Sequence, residues 1–159
     1  MPEWRWPAPY TDHLELIPDE ELLYRRISRA WLKEVDSEGV PILDSQAFQD
    51  LRLNDANDKG YELRCMSVGI GHILNDHGGP PAILGGHPAT NYGVAELRVA
   101  CIRESGQQGI MAAPEDGEPW HAVVFAVGRE RRSKAMEKAA ARCATWWQLP
   151  SETDPDDFT

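Results

Sequence analysis

The chain has 159 residues, 42% hydrophobic and 26% charged, with 26 acidic against 16 basic side chains and a formal net charge of −10. Those values fit one folded domain around one core and argue against wholesale disorder. The acidic excess argues against general nucleic-acid binding, and no run approaches the roughly 18 apolar residues of a membrane span. The opening MPEWRWPAPY lacks the apolar segment of a secretory leader, so the expected location is the cytoplasm. Cys65, Cys101 and Cys143 are odd in number and widely spaced, which reads as reduced core thiols rather than a disulfide frame.

Taken in order, residues 1–18 form a Pro- and aromatic-rich arm carrying Trp4 and Trp6. Such an arm lies across a surface, either the chain's own or a partner's. Residues 19–149 read as a single globular domain and 150–159 as an acidic tail. Leu22 to Ile27 is a strand candidate followed by a helical turn over Ser28 to Leu32, and Lys33 to Pro41 is a polar loop. Asp44 to Phe48 and Leu51 to Leu53 read as a turn entering irregular structure. The Asp/Asn-containing excursion around them does not reproduce a calcium-loop spacing. Leu63 to Ile70 is the next strand.

Gly69 to Asn91 holds six glycines, three prolines and His72, His77 and His87. Gly69 and Gly71, directly after a strand, have the look of a phosphate-binding turn, but a third glycine in register and a Walker lysine are missing and no helix is expected to follow. The three histidines with Asp76 are metal-ligand types without a metal-site spacing, so no metal and no resident cofactor is assigned. Tyr92 to Cys101, which contains Glu96, is another ordered element, and Gly106 to Gly117 reads as loop.

The stretch that organises the chain comes last. His121 to Val127 is a continuous apolar, Val-rich run punctuated by Pro119 and Gly128, as expected of a strand buried on both faces. From Arg129 to Trp147 the period changes. Ala135, Met136, Ala139, Ala140, Cys143, Trp146 and Trp147 recur every three or four residues, predicting an amphipathic helix ended by Pro150. Its other face concentrates six cationic and two anionic residues, making Arg131 and Arg132 candidate partner contacts. The expected fold is α+β: a small mixed or antiparallel sheet of about four to six strands with the C-terminal helix packed on one face.

Several segments carry a resemblance. LYRRI at 23–27, Ser-x-x-Phe at 45–48, MSV at 66–68, YGVAEL at 92–97 and WHAVV at 120–124 resemble a group of small uncharacterised bacterial proteins, which implies a bacterial source and no known activity. A strand bearing Tyr24, Arg25 and Arg26 followed by Ser45 is also distantly similar to the opening of ADP-ribosyltransferases. That likeness implies an Arg holding the NAD phosphates, a supporting Ser, and Glu96 in place of a missing Glu-x-Glu.

GxSxG and HExxH are both absent, so no catalytic constellation is complete. The first expectation is therefore a cytosolic accessory protein that binds a protein partner or itself through the arm or the basic helix. The alternative is an NAD- or nucleotide-using transferase. In it His121, Arg25, Ser45 and Glu96 act chemically, while Arg26, Gly69 and Gly71 hold the nucleotide. That alternative requires LYRRI, the Gly/His segment and His121 to converge on one cleft.

Overall fold

The computed structural model describes residues 12–49, 51–53, 63–79, 92–114, 116–127 and 132–150. Among the described residues seven strands form: β1 (Leu22–Ser28), β2 (Leu51–Leu53), β3 (Leu63–Ile70), β4 (Tyr92–Arg98), β5 (Gln108–Ala112), β6 (His121–Ala126) and β7 (Ala144–Gln148). Among the same residues three α-helices accompany them: α1 (Gly71–Asp76), α2 (Val99–Arg103) and α3 (Lys134–Arg142). Six strands lie in the order β5-β6-β3-β1-β4-β7, every neighbouring pair antiparallel, and β2 pairs with β3. The fold is thus α+β with an open antiparallel sheet.

Period-two alternation decides which face each side chain takes. Leu23 and Ile27, Met66, Val68 and Ile70, Ala95 and Leu97, and Ala122 and Val124 join one core with Ile17, Phe48, Ile110 and Ala140. All six residues of β6 are buried, with β5 on one side and β3 on the other, as its continuous apolar run predicts. A smaller cluster of Tyr24, Leu74 and Val94, flanked by Leu22 and Trp120, occupies the opposite face.

The pairing is uneven. β1 shares seven register partners with β4 but only two with β3, Leu23↔Ile70 and Tyr24↔Gly69. Beyond that point the two strands part, and a side chain takes over from the ladder. Buried Arg25 donates from Nη1 to the carbonyl of Ser67 at 2.8 Å and from Nε to that of Ala47 at 2.8 Å, with a longer bond to Gln49, while its guanidinium lies 5.1 Å from the Trp31 ring centroid. Arg132, 1% exposed, holds the same segment from the other side by donating to the Phe48 carbonyl at 2.7 Å and to Gln108 Oε1 at 2.8 Å. The short 3-10 helix Ser45–Phe48 would otherwise end on unpaired buried carbonyls, and two guanidinium groups satisfy them.

Four local expectations change. Among the described residues the predicted helix 129–147 forms over Lys134–Arg142; Cys143 is its cap, and Ala144–Gln148 is a strand laid against β4. Short apolar runs satisfy either period, and the available β4 edge decided the outcome. Gly71–Asp76 is helical despite its glycine-rich neighbourhood, and β5 emerges within the expected loop 106–117. Cys101 and Cys143, separated by 42 residues in sequence, are joined in a disulfide with Cα atoms 5.7 Å apart, and buried Cys65 is outside any disulfide. The expectation of three reduced cysteines fails because only packing of α2 beside the end of α3 brings that pair together.

The described part of the N-terminal arm lies on the chain's own body. Asp12 and His13 bond along the outer edge of β5, and Ile17 is fully buried. Arg103 fastens this segment through Asp12 and Asp19; burial works against its charge, but the two carboxylates outweigh it and hold its pKa above the ordinary value. Among the described residues no helix is long and apolar enough to cross a membrane.

Candidate functional site

The face opposite the main core carries the chemistry. His121 on β6 is the register partner of Gly69 on β3, Gly69 of Tyr24 on β1, and Tyr24 of Glu96 on β4. These four positions make one cross-strand row, which crosses the sheet where β1 and β3 begin to part. Ser67, two residues before Gly69, shares this face by alternation, as does Arg26, two residues beyond Tyr24.

Beside the row, His121 and Ser67 form a defined pair, a diagonal contact across β3 and β6. His121 Nε2 lies 2.7 Å from Ser67 Oγ, and Nδ1 lies 2.8 Å from the carbonyl oxygen of Ala113. A carbonyl can only accept, so Nδ1 carries the proton. In the neutral ring Nε2 then presents its lone pair, and the serine hydroxyl donates to it. The imidazole is buried and held at both nitrogens, whereas Ser67 is only half-buried. The Ser67 main chain is fixed from the far side by Arg25. This is the arrangement of a hydroxyl, a base and an orienting acceptor.

On the neighbouring strands, Tyr24 Oη donates to Glu96 Oε2 at 2.8 Å, and the Tyr24 ring meets Trp147 edge-on at 6.2 Å between centroids. Burial, reinforced by the Glu96 carboxylate, pushes the Tyr24 phenol up to about 12. The phenol is therefore a firm donor at neutral pH. Glu96 is three strand steps from His121, or roughly 14 Å at the usual strand spacing.

The sequence-predicted residues divide between the two faces. His121, Glu96 and Arg26 lie on the face just described. Arg25 turns into the core, and Ser45 lies in the short helix whose end Arg25 holds, so these two do not join the row. Gly69 and Gly71 are not an open cradle. A Cβ at Gly69 would stand 2.7 Å from Leu74 Cδ1, and one at Gly71 would stand 2.8 Å from the Leu22 carbonyl oxygen. The start of α1 is already occupied by Glu21, whose carboxylate accepts from the main-chain nitrogen of His72 and contacts its ring. Both glycines serve close packing of α1 against β1 and β3.

Arg132 is buried and bonded to main-chain carbonyls, so it does not form part of an exposed contact surface. Trp4, Trp6, Arg131 and His87 lie outside the described residues. Among the described residues no group of three His, Cys, Asp or Glu side chains gathers as a metal site; His77 contacts the Trp120 ring instead.

Ser67 is the residue that sequence reasoning passed over. The available signal was the alternation in β3, where Cys65, Ser67 and Gly69 put small side chains on one face and Met66, Val68 and Ile70 put large ones on the other. The small side chains let Leu74 of α1 and Trp120 close over Gly69 and leave Ser67 half-buried beside them. Comparison with family models, with curated proteins and with solved structures found no match to this chain.

Proposed function

We propose that this is a small bacterial transferase that uses NAD or another nucleotide, seated on the sheet face where β1 and β3 part. One observation carries the reading: the LYRRI strand through Tyr24, the Gly/His segment through Gly69, and His121 are consecutive members of a single cross-strand row. The distant similarity to ADP-ribosyltransferases supports it with a shift of residues. Arg25 is committed to main-chain carbonyls, so exposed Arg26 takes the phosphate-facing role, and Ser67 takes the role expected of Ser45. His121 supplies the base, and the Tyr24 phenol oxygen, whose one proton goes to Glu96, can accept from a ribose hydroxyl. Thermal-shift screening against NAD and other nucleotides tests this. A nucleotide should raise the midpoint in the wild type and much less in Arg26→Ala; no shift with any nucleotide refutes the reading.

A second reading, an accessory protein that binds a partner or itself, is favoured by the other end of the sheet. β7 is the terminal strand and, among the described residues, has no strand on its outer side. Trp147 and Leu149 near it are each 44% exposed and Val35 is 61% exposed. A cleft of about 460 Å³ beside them is lined by Val35, Pro41, Leu149, Arg29 and Lys33. Exposed apolar side chains at a sheet edge suit association. Size-exclusion chromatography with light scattering should show a dimer or a retained partner, and a strict monomer that binds nothing refutes it. Both readings place the protein in the cytoplasm, where thiols are kept reduced. The Cys101–Cys143 bond is at odds with that placement, and thiol trapping in acid-quenched cells tests it: free thiols support the cytoplasm, and recovery of the disulfide moves the protein to an oxidising compartment.

A further inference from the structure

We infer that Ser67 is an activated nucleophile and His121 its general base, so that the protein forms a covalent ester with small electrophilic acyl compounds. The inference stands on this pair alone and not on which nucleotide the face accepts.

Three features carry it. The Oγ to Nε2 distance of 2.7 Å is within reach for direct proton transfer. The Nδ1 bond to the Ala113 carbonyl at 2.8 Å fixes the tautomer and would stabilise the imidazolium when it forms. The serine is the more exposed partner and the base the more buried one, so the nucleophile is the group that an incoming electrophile meets first. A histidine that only needed to satisfy its ring nitrogens would already have one carbonyl partner. Here the second nitrogen is directed at the one hydroxyl on the small-residue face of β3.

The step balances without any external redox partner. Ser67 Oγ attacks the carbonyl carbon of an activated carboxylic ester while its proton passes to His121 Nε2. As the tetrahedral adduct collapses, the bond from carbon to the leaving oxygen breaks and the departing alkoxide takes that proton. Water then attacks the acyl-serine by the same route, releasing the carboxylic acid and restoring the hydroxyl. With a fluorophosphonate the phosphorus takes the place of the carbonyl carbon and fluoride leaves, giving an adduct that does not turn over.

The test treats the full-length protein with a fluorophosphonate, followed by intact-mass and peptide mapping. A single phosphonyl group on Ser67 is expected, with no adduct in Ser67→Ala and labelling slowed by roughly 100-fold or more in His121→Gln. A burst of nitrophenol from a nitrophenyl ester, stoichiometric with protein, should accompany it. Because the mapping is done on the wild type, a variant that misfolds does not remove the test. No adduct on Ser67, an adduct on another serine, or equal labelling rates with and without the imidazole overturns the inference. A nucleotide-induced thermal shift is unaffected by any of these results, so the two proposals fail separately.

Discussion

Replacing Arg25 by methionine should destabilise the protein by about 3–5 kcal/mol, a large share of the roughly 5–15 kcal/mol that holds a typical domain folded. The estimate follows from its contacts. Two hydrogen bonds at 2.8 Å from a charged donor reach the carbonyls of Ala47 and Ser67. Losing each costs about 1.5–3 kcal/mol, because buried acceptors are left without a donor. The stack on Trp31 adds about 0.5–1 kcal/mol. Against this, methionine recovers part of the apolar packing of the arginine stem. Lysine should be little better, since one ammonium cannot span carbonyls on two different segments. Urea titration followed by circular dichroism measures the change, with Lys138→Met on the exposed face of α3 expected to stay within about 0.5 kcal/mol. A loss below about 1 kcal/mol for Arg25→Met would refute the claim that a guanidinium replaces the ladder where β1 and β3 separate.

Three further outcomes are expected. Reducing the bond between Cys101 and Cys143, 42 residues apart, should lower stability by up to about 4 kcal/mol on the loop-closure account, matching the double serine variant; an unchanged urea midpoint under reductant would count against it. Gly69→Ala should cost about 1–3 kcal/mol, because the new methyl meets buried Leu74 at 2.7 Å and Trp120 at 3.2 Å, and the indole fluorescence should move with it; a silent substitution would mean that Leu74 is not packed there. Burial and Glu96 raise the Tyr24 phenol from 10.0 to about 12, which favours the protonated form in the folded state. Its stabilisation is therefore complete below pH 10 and is lost as pH climbs from there towards 12. Tyr24→Phe should remove that component of alkaline unfolding, and identical alkaline midpoints for the two proteins would sink the assignment.

Local pattern was enough for several elements. β1, β3 and β6 are legible because each is a run of six to eight residues with strong apolar content bounded by turn residues. The same reasoning failed at 143–148, where apolar residues at positions 143, 146 and 147 fit a helical stripe and the strand was chosen by an available neighbour. The site was half legible. His121 at the start of a buried strand stood out on sequence grounds. Ser67 did not, since a single serine inside a strand has no chemical meaning until its cross-strand partner is known. Arg25 read as a phosphate-holding residue and Arg132 as a partner contact, because nothing local announces that a guanidinium will be buried against main-chain carbonyls.

The amino-acid order alone determined the α+β class, strands β1, β3 and β6, and the burial of the Val-rich run, because these depend on side-chain period and turn chemistry within a few residues. Only the tertiary structure decided strand order, the parting of β1 from β3, the pairing of Cys101 with Cys143, and the meeting of His121 with Ser67 across 54 residues of chain. Those depend on which distant segments are hydrogen-bonded side by side. That choice is made by the collective burial of one sheet face, a quantity no short window of sequence contains.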